Sequence, residues 1–339
     1  MPSPYTRLCR WATIALAGAL LQSVASAAQP TVDLLSYAEP GTLVDIGGGR
    51  HLNLRCTGAG SPTILLEAGL GMTSRTWATV QPMLARTNKV CAYDRAGFGF
   101  SEGGPVPRDL AAEAADLRAL VVAAPIETPL VLVAHSWGTA IARAYARDHR
   151  SDLAGIVLLD PSPMNLAAVA PQSVKENAQA IGQVSAFAVQ CGSAARKGRL
   201  PATTAPLASC IAPDDPHLPA ALSASIRRYK LHVGFWDATS GELMGDLELS
   251  RQALPAGTPL GDTPLIVLTA DGTFALQPAH ERKVLEEART STHAAIVATS
   301  TRGERRLVSK SSHFIQQDQP TAVVGAVGDV IRISHRKGG

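Results

Sequence analysis

The chain predicts an α/β fold: a mostly parallel sheet with helices on both faces, interrupted once by a long helical insertion. Short runs such as "PLVLVAH" (129–135) and "LAGIVLLD" (153–160) are apolar throughout, the mark of strands buried on both faces. Segments of helical period alternate with them, as crossover connections between parallel strands require. From about Pro161 to Pro264 this alternation stops, and prolines, alanines and short helical patterns take over.

Taken in order, residues 42–57 read as a hairpin, two short strands around the turn "GGG". "PTILLEAG" (62–69) is an apolar strand ending in glycine, and "NKVCAYDRAGFGFS" (88–101) is another strand running into a glycine-punctuated loop. "DLAAEAADLRALVVAA" (109–124) has helical period, "PLVLVAH" is strand, "TAIARAYARDH" (139–149) helix and "LAGIVLLD" strand. After the insertion, "PLIVLTAD" (264–271) resumes the sheet and "PAHERKVLEEAR" (278–289) is an amphipathic helix. "RRLVSKSSH" (305–313) is a last strand entering a loop, and "PTAVVGAVGDVIRI" (320–333) is a closing helix. An insertion of that length reads as a cap over the sheet, because structureless loops so long are rare in compact domains. The predicted organisation is a core over 40–160 and 264–335 with a cap over 161–263.

Length and composition fit a single large core: 339 residues, 46% hydrophobic and 17% charged. A net charge of +3 with no basic block excludes a nucleic-acid footprint. Residues 1–27 read as a leader for export to a secreted or periplasmic destination. Arg7 and Arg10 precede the apolar run "WATIALAGALLQSVA", and Ala25-Ser26-Ala27 is a small-residue cleavage site. No stable membrane anchor is then expected after leader removal. Without the leader and its Cys9, four cysteines remain: Cys56, Cys91, Cys191 and Cys210. Three pairings are possible, of which Cys191–Cys210 would close a local loop. No cysteine or histidine spacing suits a metal, and no cofactor is expected.

The chemistry is concentrated at "VLVAHSWGTA" (131–140), where a buried strand meets a helix at Ser136. A serine there either caps the helix or is held out as a nucleophile. The known fingerprint of such a nucleophile turn, G-x-S-x-G, stands here as Ala134-His135-Ser136-Trp137-Gly138. One small residue replaces the first glycine, and small size is what the crowded turn requires. His135 adjoins the serine but should point elsewhere, into packing or a pocket wall. Seven further histidines, His51, His149, His217, His232, His280, His293 and His335, have no motif around them. His313 instead sits in a polar loop after the last strand and before a proline-opened helix.

Four segments together resemble the α/β-hydrolase superfamily: "LLEAGLGMTSRTW", "YDRAGFGFS", "AHSWG" and "SSHFIQQDQPTAVV". They stand in family order from about Leu43 to Ile333, and the last is similar to the haloalkane-dehalogenase-like branch, although a serine replaces that branch's aspartate nucleophile. The resemblance implies an eight-stranded sheet with a helical cap before the seventh strand. It orders the first strands 1-2-4-3, which makes the strands of Cys56 and Cys91 neighbours and favours that disulfide. It implies Ser136 as nucleophile, His313 as general base, and the amides of Leu70 and Trp137 as oxyanion donors. Where the family often has His-Gly, this chain has Ala68-Gly69, which leaves the rigidity of the donor loop to be explained.

Two aspartates end the relevant strands. Asp271 holds the usual family position for the acid that orients the base, and Asp160 the position used by the dehalogenase-like branch; Asp160 is favoured. Asp94 and Arg95 are expected to form a loop-stabilising ion pair. Trp77, Trp137 and Trp236 either wall an apolar pocket or pack as core. The expected activity is hydrolysis of a small or medium, largely uncharged carboxylic ester, thioester or lactone. The alternatives are C–C or amide cleavage, a perhydrolase activity, or a silent binding protein of the same fold.

Overall fold

A computed structural model describes residues 33–257 and 259–335. The leader expected over residues 1–27 lies outside them. Eight strands form one sheet in the order β1-β2-β4-β3-β5-β6-β7-β8. They are β1 (Thr42–Asp45), β2 (His51–Thr57), β3 (Ile64–Glu67), β4 (Val90–Tyr93), β5 (Leu130–His135), β6 (Leu153–Leu159), β7 (Leu265–Ala270) and β8 (Gly303–Val308). β1–β2 and β2–β4 pair antiparallel, and every later pair is parallel.

Side-chain alternation along the strands divides the core into two layers. Leu130, Leu132 and Ala134 of β5 face one layer, with Leu117 and Leu120 of α2 (Leu110–Ala123), Ile141 of α3 (Trp137–Asp148) and Ile296 of α8 (Ala279–Val297). Val131 and Val133 face the other layer, with Val80 of α1 (Val80–Leu84) and Val323, Val327 and Val330 of α10 (Pro320–His335). Both faces being covered is why these strands read as unbroken apolar runs.

The segment between β6 and β7 holds α4 (Leu166–Val169), α5 (Pro171–Arg196), α6 (Ala220–Lys230) and α7 (Val233–Arg251). Two of these are far longer than the short patterns read from the sequence, at 26 residues for α5 and 19 for α7. Their packing on each other through Ile181, Leu243 and Leu247 supplies order that local propensity does not. The last strand ends at Val308 and runs into the loop expected before residue 313, and α9 (Ile315–Asp318) precedes α10.

Disulfides join Cys56 to Cys91 and Cys191 to Cys210. Cys56 and Cys91 lie directly opposite each other in the β2–β4 register. Two disulfides point to an oxidising compartment. No helix among the described residues is long and apolar enough to cross a membrane.

Candidate active site

The turn between β5 and α3 places Ser136 at φ 52°, ψ −123°, a region that non-glycine residues occupy only when their surroundings hold them there. The Ser136 amide donates to Leu159 O at 2.9 Å. Gly138 is required by close approach, since a Cβ there would lie 2.4 Å from Ala68 O. The Ser136 side chain makes no helix-capping bond. It donates instead to His313 Nε2 at 2.8 Å.

His313 arrives on the loop after β8, and its Nδ1 donates to Asp160 Oδ2 at 2.8 Å. Asp160 follows β6 directly, at φ 44°. The structure therefore brings Ser136, His313 and Asp160 together and leaves Asp271 apart. Asp271 accepts from the amides of Lys310 and Ser311 at 3.0 and 3.1 Å, so it braces the loop that carries His313. All of these residues stand at the carboxyl ends of parallel strands, where open α/β sheets bind ligands.

Asp160 is almost wholly buried. Burial alone would raise its pKa, but the hydrogen bond to His313 and the charges of His313, His293 and Arg289 bring it down to about 2. Its remaining acceptor capacity is filled by Ala270 N at 3.2 Å, Thr273 Oγ1 at 2.5 Å and Arg289 Nη1 at 3.3 Å. An ionised carboxylate thus backs an imidazole that can take the serine proton.

Two further histidines near the site are buried. His135 donates from Nε2 to His313 O at 2.9 Å; burial and the nearby His313 lower its pKa to about 3. It lines the pocket, as one of its two expected roles required. His293 donates from Nε2 to Pro161 O and accepts from Thr269 Oγ1, and burial lowers its pKa to about 4. An unfolded histidine binds its proton near 6.5, so between that pH and about 4 unfolding takes up a proton at this site. Its contribution to stability is therefore full above 6.5 and is lost on acidification, by up to about 1.4 kcal/mol per pH unit. Denaturant melts of wild type and His293→Gln at pH 7.5 and 5 should show the stability gap narrowing by about 2 kcal/mol at the lower pH. A gap that stays constant with pH contradicts this assignment.

A cavity of about 170 Å³ opens onto Ser136 and His313. Its walls are largely apolar, with Leu70, Met72, Ile181, Leu243, Phe274 and Phe314 among them. Besides Asp160, a second carboxyl joins the lining, that of the half-buried Asp246 on α7, and burial raises its pKa. The tryptophans take the other expected role. Trp77 and Trp137 belong to the core layers and Trp236 to a cluster around Cys191–Cys210. Trp137 turns its indole away to donate to Glu113 Oε2 at 2.7 Å, while its backbone amide, first in α3, has no partner within the helix. Leu70, the other expected donor, stands in the loop after β3 and lines the cavity.

The expected ion pair between Asp94 and Arg95 does not form. Asp94 binds Asn53 Nδ2 and the amides of Ser74 and Phe100. Arg95 turns the other way, to Glu67 and Glu242. Adjacent residues of an extended turn point to opposite sides, so neighbours in sequence are poorly placed to pair.

Arg289, Thr273, Glu67 and Glu242 were not singled out in the sequence. A signal for two of them exists: Arg289 falls on the buried stripe Leu285, Arg289, Thr292, Ile296 of α8, and Glu242 on the stripe Ala238, Glu242, Leu249 of α7. A charge on an apolar helical stripe announces a buried partner.

Comparison with known proteins agrees with this architecture. The uncharacterized protein YqjL of Bacillus subtilis is 25% identical over 274 residues, which span 80% of this chain and 85% of that protein. A thermophilic esterase from Thermogutta terrifontis superposes with a TM-score of 0.56 at 20% identity, covering 88% of this chain and 98% of the esterase. An alpha/beta hydrolase fold protein from Burkholderia ambifaria gives 0.53 at 20% identity, covering 86% and 99%. At these identities the solved structures are likenesses of fold. The family model for the alpha/beta hydrolase family matches residues 64–326, from β3 through Ser136, Asp160 and His313 into α10, and the chain belongs to that family.

Proposed function

We propose that this hydrolase-family protein is an exported serine hydrolase that cleaves a small, largely uncharged carboxylic ester through an acyl-enzyme. The observation that carries the reading is the relay of two 2.8 Å hydrogen bonds from Ser136 through His313 to Asp160, opening on an apolar cavity. Ser136 Oγ attacks the ester carbonyl while His313 Nε2 takes its proton, and Asp160 stabilises the imidazolium. The tetrahedral oxyanion receives hydrogen bonds from the Leu70 and Trp137 amides. The intermediate collapses, His313 returns the proton to the departing alkoxide, and the alcohol leaves. Water then attacks the acyl-enzyme by the same steps and releases the acid. The helices over 161–263 act as the cap that walls the substrate. The leader and the two disulfides both fit export.

A cavity of about 170 Å³ is close to the roughly 150 Å³ that an engineered apolar cavity needs to hold benzene. Its largely apolar walls favour an uncharged substrate. Among p-nitrophenyl esters of graded chain length, turnover should be greatest at about two to six acyl carbons and fall steeply beyond about ten. A matched lactone series belongs in the same experiment. Lactones outrunning every ester would replace the ester assignment, and no Ser136-dependent turnover of either would remove the hydrolase reading.

A further inference from the structure

Loop 68–71, which carries the Leu70 amide, lacks the histidine that often stiffens it, and it is held instead by side chains from two distant elements. Arg95, after β4, donates from Nη1 to Ala68 O and from Nη2 to Gly69 O, each at 2.7 Å. The same guanidinium donates to Glu67 Oε1 and to Glu242 Oε1, again at 2.7 Å. Glu242 then completes the clasp from α7: its Oε2 accepts the amide of Gly71 at 2.6 Å. Gly71 has φ +68°, so the backbone turns just after Leu70 to present that amide.

The clasp is dry. Arg95 is 3% exposed, and Glu67 and Glu242 are 0% exposed. In such surroundings removal of one member leaves the others charged or unpaired, so the set is occupied as a unit. Glu113 on α2 and Tyr93 on β4 also face it. Burial holds the Glu113 carboxyl well above its ordinary range, and Tyr93 donates to Glu67 Oε2. The arginine therefore answers chiefly to Glu67 and Glu242.

We propose that Glu242 and Arg95 are positioning residues for the oxyanion hole, and that the Leu70 amide is aimed only while α7 is seated on the loop. The idea rests on the serine-hydrolase reading above. Its physical content is that a donor must meet the oxyanion at about 2.7–3.1 Å, which a loop freed on one side does not maintain. Glu242 lies 171 residues from Gly71 along the chain, so the helices over the cavity and the oxyanion donor become one mechanical unit.

Glu242→Gln tests this. A glutamine keeps the length, but its amide offers one acceptor where two donors, Arg95 Nε and Gly71 N, now converge. Per folded molecule, kcat on the best ester should fall about 10- to 100-fold with KM within about threefold, less than the loss from deleting an oxyanion donor outright. Affinity for a boronic acid, a tetrahedral mimic, should fall by the same factor as kcat, and affinity for the planar carboxylic acid product should not change. Glu248→Gln, on the exposed face of α7, is the control and should match wild type. If Glu242→Gln does not fold, Glu242→Asp keeps the charge, loses the reach and is expected to show the same pattern. Wild-type kcat per folded molecule, or equal losses for boronate and product acid, would overturn the proposal. Either result would leave Ser136-dependent turnover intact. Failure of the hydrolase reading is a different outcome, the absence of that turnover in the wild type.

Discussion

Ser136→Ala is expected to lower kcat about a millionfold and to abolish labelling by a fluorophosphonate probe, with the fold retained. The magnitude follows from the way nucleophile, base and acid act as a unit: removing the nucleophile costs nearly as much as removing all three. What survives is the contribution of substrate binding and oxyanion contacts alone. The substitution should leave stability nearly unchanged. Alanine occupies the same φ of 52° with no more strain than serine, and the lost hydroxyl bonds only to the half-buried His313. Thermal melts, gel-based probe labelling and ester kinetics on the same preparation check all three statements. Retention of more than about 1% of wild-type kcat would remove Ser136 from the nucleophile's role.

Asp160→Asn carries the second large effect, about ten-thousandfold in kcat. An asparagine cannot hold the Nδ1–H tautomer as a carboxylate does. If its amide nitrogen faces the ring, His313 is driven to the other tautomer, and Nε2 then presents a proton to the serine in place of a lone pair. The wild-type carboxyl, with its pKa lowered to about 2, stays ionised through any working pH, so the wild type keeps this advantage throughout the assay range. Stability is affected as well. A carboxylate whose folded pKa lies below its unfolded value near 3.9 stabilises the native state above that pH, and the benefit is lost as pH falls toward 2. Arg289, buried beside Asp160, loses its charge partner and keeps Thr273 Oγ1 and the face of the Phe274 ring, an unpairing that costs about 3 kcal/mol. Asp271→Asn, assayed in parallel, should stay within about tenfold of wild type, because Asp271 contacts backbone amides of the His313 loop and not the ring. A larger loss at Asp271 than at Asp160 would reverse the assignment of the acid.

Much of the architecture was legible in the chain because it is written in local periodicity. Unbroken apolar runs marked strands covered on both faces, and the corner at Ser136 was marked by a strand pattern giving way at once to a helical one. His313 stood out by its place in a polar loop between the last strand and a proline-opened helix. The long helices α5 and α7 were not legible, since their order comes from packing on each other. Nor was the partner of Arg95, which a reader of the sequence places on adjacent Asp94.

By itself the sequence determined the layered sheet, the order of its motifs and the short list of candidate site residues. Only the tertiary structure separated the surroundings of two aspartates that end the neighbouring strands β6 and β7, turning Asp160 to the imidazole and Asp271 to the loop that carries it. It alone joined Glu242 to Gly71 and Arg289 to Asp160. The reason is range. Periodicity records which side chains share a face of one element, whereas hydrogen bonds between buried charges act over about 3 Å and depend on where separate elements finally pack.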